Sequence, residues 1–175
     1  MAPTANPRAL RTVAAIPITK DAFAPYGDVV TAGATAGRSA NMGTATRCDW
    51  SAALESTRPG ARPNLAVFRS LAKTLPFQVT LLEKHPCSTQ AFLPMVCTRY
   101  LVCVAPARED GSPDIERLAA FRCGPGVGVN YKREVWHHPI LALDGPADFA
   151  MLAWEDGSLQ DCVEWPLPEP ILITD

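Results

Sequence analysis

Apolar and polar residues alternate with period two through the middle of the chain. In residues 77–85 (FQVTLLEKH), Phe77, Val79 and Leu81 fall on one face of an extended strand, and Gln78, Thr80 and Leu82 on the other. Residues 65–72, 90–96, 98–106, 148–156 and 160–167 read as further strands, most of them closed by proline, glycine or aspartate. Two segments break the pattern. Thr19 is placed to cap a short helix that Pro25 and Gly27 end before a strand at Val29 and Val30. Residues 112–121 predict a second helix: Ser112 as N-cap, Pro113 at its first position, Asp114 and Glu116 in its first turn, and Ile115, Leu118 and Ala119 as an apolar stripe. Residues 32–46 are small and polar with three glycines, and predict a loop or a pair of irregular strands. Many short strands and two short helices predict a mostly β fold, best a compact barrel.

Composition narrows this picture. The 175 residues suit one domain, expected over 16–175 after a flexible leader at 1–15. Seventeen prolines argue against a helical bundle, because each removes an amide donor and crowds the preceding turn. Sixteen Lys and Arg oppose eighteen Asp and Glu, so a general nucleic-acid partner is not expected. No run of eighteen apolar residues and no secretory signal pattern occur, so the expected setting is cytoplasmic and away from membranes. The six cysteines (48, 87, 97, 103, 123 and 162) form no C-x-x-C pair and are expected to be reduced core thiols.

The three histidines, His85, His137 and His138, lie in two polar-rich stretches. Glu83 and His85 are two apart, so on a strand they share a face, and Gln90 opens the next strand. His137 and His138 are adjacent, so only one of them can face a barrel interior. Two imidazoles, a carboxylate and an amide meeting in a barrel mouth could ligate a divalent metal or serve as acid and base. The same residue types also occur as satisfied structural groups. Gly124, Gly126 and Gly128 do not form a dinucleotide loop, because no helix opens after them.

At these residues the chain resembles the ureidoglycolate lyase family of the cupin superfamily. The resemblance is carried by residues 83–86 (EKHP), 90–94 (QAFLP), 128–131 (GVNY) and 135–139 (VWHHP), with weaker matches at 17–29, 67–69, 75–77 and 148–149. It implies a cupin-type double-stranded β-helix barrel, a homodimer, and cleavage of (S)-ureidoglycolate to glyoxylate and urea in allantoin breakdown. It implies Glu83, His85, Gln90 and His137 as positions for a divalent metal such as nickel, zinc or manganese, with His137 fitting better than His138. Either His85 or His137 is then the expected base, with the other as acid or metal ligand. Gln90, Asn130 and Tyr131 would bind the ureido or carboxylate group, and Arg47, Arg69 or Lys132 would supply positive charge. The chain departs from the family pattern at Cys87, at Glu134 where glycine is usual, and at 153–155 (AWE) where an aspartate–arginine pair is common. Those departures leave open a same-fold enzyme for another small hydroxy-acid or acyl-urea, or a non-catalytic cupin binding a small ligand.

Overall fold

A computed structural model describes residues 10–158 and 161–175. Its strands are β1 (Thr12–Ala14), β2 (Ile16–Pro17), β3 (Gly27–Val30), β4 (Gly37–Ala40), β5 (Ala45–Cys48), β6 (Arg62–Ser70), β7 (Phe77–Lys84), β8 (Gln90–Val96), β9 (Arg99–Ala105), β10 (Ala119–Cys123), β11 (Gly128–Tyr131), β12 (Trp136–His137), β13 (Leu141–Leu143), β14 (Ala147–Glu155) and β15 (Val163–Thr174). They form two facing sheets, one ordered β1-β15-β7-β12-β9-β10-β2 with β13 beside β9, the other β3-β11-β8-β14-β6. Together they make the nearly closed barrel of a cupin-type fold. Strands β4 and β5 form a separate hairpin from the glycine-rich stretch.

The barrel interior is filled by Phe23, Phe92, Tyr100, Val102, Val104, Phe121, Tyr131 and Phe149 among others. A second core, with Val79, Leu82, Leu101, Cys103, Trp136 and Ile173, lies on the other side of the larger sheet. Strand β9 therefore feeds both cores, Tyr100, Val102 and Val104 inward and Leu101, Cys103 and Ala105 outward, which explains its unbroken apolar run.

The first predicted helix is present as α1 (Lys20–Phe23), capped by Thr19, whose hydroxyl accepts from Ala22 N at 3.2 Å. The second is not. Residues 115–117 make one 3-10 turn, and 119–123 are β10. Ser112 does not cap a helix, because its N–H and hydroxyl both donate to Asp110. Leu118 and Ala120 enter the outer core and Phe121 and Cys123 the inner one, so period two outweighs the apparent helical stripe. The N-terminal expectation also changes. Residues 1–9 lie outside the described residues, but β1 pairs in parallel with β15 at Thr12↔Leu172, and Ala15 is buried, so the described end of the supposed leader belongs to the sheet.

All six cysteines are free, and only Cys103 and Cys123 are buried. Cys97 falls in the turn between β8 and β9. No helix among the described residues is long and apolar enough to cross a membrane.

Candidate active site

Glu83 and His85 lie at the end of β7 and share its inward face. Strand β12 pairs beside them with His137 directly opposite Glu83, so both side chains point the same way. Lys84 and Trp136 take the other face, where the ammonium lies 4.9 Å from the indole centroid. The turn between β11 and β12 is fastened to the same place, since Glu134 N donates to His85 O at 3.1 Å. Glu134 itself has φ +66°, a left-handed conformation that glycine adopts freely, and its carboxylate pairs with Lys84 Nζ at 2.7 Å.

These alternations bring three groups together. Glu83 Oε1 is 3.6 Å from His137 Nε2 and 4.0 Å from His85 Nε2, and the imidazoles stand 5.4 Å apart. The ring of Tyr131 stacks on His137 at 4.1 Å and 8°. Both histidines are oriented through Nδ1. His85 Nδ1 lies 2.5 Å from Asp161 O and His137 Nδ1 2.9 Å from Val135 O. Only an N–H can make those contacts, so each ring presents Nε2 toward Glu83.

Burial sets the charges. It holds His137 far below the ordinary imidazole range, at about 3, with neighbouring His85 adding to the effect, so His137 is neutral at pH 7. Burial also pushes the Glu83 carboxyl up, partly offset by His85 and reinforced by Glu164. Glu164 stands directly opposite Glu83 on β15.

His85 Nε2, His137 Nε2, Gln90 Oε1 and the Tyr131 hydroxyl are buried and have no hydrogen-bond partner among the described residues. Most of these atoms are acceptors with no donor to serve them. That is the environment a cation or a substrate N–H or O–H would satisfy. Glu83, His85 and His137 offer ligand atoms all within 4.8 Å of one another, so they could hold a metal ion, with Gln90 as an oxygen donor of suitable type. Glu83, Cys162 and Glu164 make a second such trio. His85 and Gln90 open onto a cavity of about 190 Å³, also lined by Arg58, Trp154, Asp161 and Cys162.

The remaining sequence candidates lie elsewhere. His138 points away from Glu83, edge-on to Phe77 at 5.4 Å. Asn130 is fully buried but faces opposite to its neighbour Tyr131, and its amide donates to Asp28 Oδ2 and Ala53 O at 2.9 Å each, so it is already used in fastening the 49–61 segment. Arg47 sits on the exposed hairpin, bound to Asp49 at 2.6 Å. Arg69 is exposed and forks onto Asp148. Lys132 donates to Ala24 O and lines a different cavity with Lys20 and Trp50. The cation that does line the His85 cavity is Arg58, which the sequence reading passed over. It lies in a segment with no periodicity, held in place by Thr57 N donating to Cys87 O and Thr89 N to Glu55 O.

A family model described as ureidoglycolate lyase matches residues 10–174. Curated relatives named ureidoglycolate lyase include one from Burkholderia mallei, 39% identical over 166 residues that span 95% of each chain. Another from Burkholderia cepacia is 40% identical over 151 residues, 86% of this chain and 83% of that one. A third from Pseudomonas entomophila is 36% identical over 160 residues, 91% and 94% of the two chains.

Proposed function

The chain belongs to the ureidoglycolate lyase family, and on that premise we propose that it is a carbon–nitrogen lyase cleaving (S)-ureidoglycolate to glyoxylate and urea. The substrate carbon carries a hydroxyl, a carboxylate and a ureido nitrogen. Elimination removes the hydroxyl proton, forms the carbonyl as the C–N bond breaks, and returns a proton to the departing nitrogen. One well-placed base that becomes the acid is sufficient.

The observation that carries this reading is His85 Nε2, a buried lone pair with no partner on a side chain that lines the cavity. His85 takes the hydroxyl proton and delivers it to the ureido nitrogen. Its Nδ1–H stays on Asp161 O, which keeps the tautomer fixed. His137 is too weak a base to share that task, and holds its ring and lone pair against Tyr131 and Glu83. The same Nε2 is the ligand atom His85 would offer to a divalent ion of the nickel, zinc or manganese kind held with Glu83, Gln90 and His137. An ion bound through all four would take over the task of the base by polarising the substrate hydroxyl, and one bound through Glu83, Gln90 and His137 alone would leave His85 as the base. Gln90 and Tyr131 are the substrate-facing polar groups. Six free thiols agree with a reducing, cytoplasmic setting.

The test is a turnover assay that detects glyoxylate from purified protein, before and after chelator treatment and metal refilling. His85→Ala should lower kcat by about 10²–10⁴-fold, the usual worth of a general acid–base group. Full rates in both His85→Ala and His137→Ala would remove this site from the reaction.

A further inference from the structure

We infer that Arg58, Trp154 and Arg133 form a carboxylate-binding subsite in the wall between two adjoining cavities. The first cavity is the one His85 and Gln90 line. The second, of about 480 Å³, lies behind it and is lined by Glu55, Arg58, Arg133 and Trp154 among others. Arg58 and Trp154 are the two residues common to both.

The two sides have opposite hydrogen-bonding character. Toward His85 the buried orphans are acceptors. Toward Arg133 they are donors: Trp154 Nε1–H and Arg133 Nε–H are both buried without a hydrogen-bond acceptor among the described residues. Arg58 is nearly enclosed, with 12% of its side chain exposed, and commits Nη1 to Asp156 at 2.7 Å and Ser158 at 3.1 Å. The Cys87 thiol also lies within hydrogen-bond reach of this guanidinium. A buried donor without an acceptor costs free energy that a ligand oxygen returns, and a guanidinium fork beside an indole N–H suits the two oxygens of a carboxylate.

Of the acids around the wall, only Glu55 faces one of these donors, as a long ion pair with Arg133. Asp156 is held by Arg58 and by the backbone N–H and hydroxyl of Ser158. Glu155 accepts from Asn64, and Asp161 from Cys87 N. Glu55 approaches Arg133 Nε only to 3.8 Å. Trp154 is also one of the positions where the chain departs from the family pattern, so this subsite belongs to this chain's own residues.

Naming the substrate's own carboxylate as the occupant rests on the proposed lyase reading. In that pose the carboxylate lies on Arg58 and Trp154 while the hydroxyl and ureido N–H face His85 and Gln90, and Arg133 adds positive charge behind. The pose makes Arg58 and Trp154 selective for a carboxylate over a neutral group.

Oxamate tests the subsite, because it carries a carboxylate and a carboxamide yet cannot undergo the elimination. Calorimetric titration of the full chain with oxamate would be run on wild type, Arg58→Gln and Trp154→Phe, with thermal melts to confirm folding. Trp154→Phe keeps the ring and removes only the N–H. It should weaken oxamate binding by about tenfold, and Arg58→Gln by about a hundredfold, as expected for lost hydrogen bonds to a charged group. Unchanged affinity in both variants, or no oxamate binding by the wild type, would overturn the subsite. Oxamate binding needs no turnover. Arg58-dependent binding by a protein that does not cleave ureidoglycolate would therefore uphold the subsite and reject the lyase reading.

Discussion

Single residues at the site are held in states that water would not give them. His137 is the plainest case, with its pKa at about 3 instead of 6.5. Between those values the unfolded chain binds a proton that the folded chain refuses. Its contribution to stability is therefore complete above about pH 6.5 and is lost as the pH falls toward 3. One such group imposes a slope of about 1.4 kcal/mol per pH unit. His138, lowered by burial, acts in the same direction, while the raised carboxyl of Glu83 acts oppositely above its ordinary value. Urea denaturation of chelator-treated protein at pH 7, 6 and 5 should show the loss, and His137→Gln should flatten it. An equal slope in the variant would assign the loss to other groups. Glu134 is the second case. Its left-handed backbone costs a residue with a Cβ about 1–2 kcal/mol, and its partly exposed pair with Lys84 returns about 0.2–1 kcal/mol. Glu134→Gly should therefore be more stable than Glu134→Ala by about 1 kcal/mol, read as the difference in urea midpoint. The sequence already marks this position, since a non-glycine stands where the family has glycine, and the positive φ supplies the physical reason for that glycine.

Elements decide which of the predicted residues can meet. Glu83 and His85 were legible because spacing of two on a strand puts both on one face, and β7 is a strand. Asn130 and Tyr131 were not separable by type alone. Adjacent residues on β11 face opposite ways, and only the pairing of β11 between β3 and β8 shows which side is the barrel. Asn130 is left tying Asp28 and Ala53 to the outer side of the sheet. Asn130→Ala should thus cost about 1–3 kcal/mol of stability by stranding buried partners, with KM close to the wild-type value. A large rise in KM without loss of stability would return Asn130 to the substrate. The same strand pair sets a steric limit. A Cβ on Gly27 would come within 1.9 Å of the Asn130 carbonyl oxygen, a backbone atom that cannot swing aside. Gly27→Ala should destabilise by about 1–3 kcal/mol through overpacking, visible in the thermal midpoint. The missed second helix has an equally local cause: its apolar positions satisfy both periods, and only β9 alongside selects the strand.

At the scale of the whole molecule, the longer central strands could be read along the chain, but short ones such as β1, β2, β12 and β13, and the order of them all, could not. The parallel pairs β1–β15 and β2–β10 join residues more than 100 positions apart, and nothing in local alternation specifies them. Arg58 was invisible for the same reason, since a long unpatterned segment brings it to the cavity. The assembled barrel also shows what the chain leaves uncovered. On the outer face of the smaller sheet, Leu65 and Val67 of β6 are 69% and 64% exposed, and Leu93 and Met95 of β8 are exposed on the far side of the intervening β14. Strand β6 is the edge of that sheet, and no described strand pairs its free side. A contiguous apolar face on a sheet edge is an aggregation hazard unless something covers it. A second copy is the occupant expected from the family resemblance, and a standard interface would bury about 800 Å² on each partner. Light scattering after size exclusion should then give twice the 18.8 kDa chain mass for the wild type. The double variant Leu65→Asp, Val67→Lys should shift it to the single-chain mass with its melting transition retained, because both side chains point away from the inner core. A wild-type mass of one chain at micromolar concentration would reject the dimer and leave the patch without its expected partner.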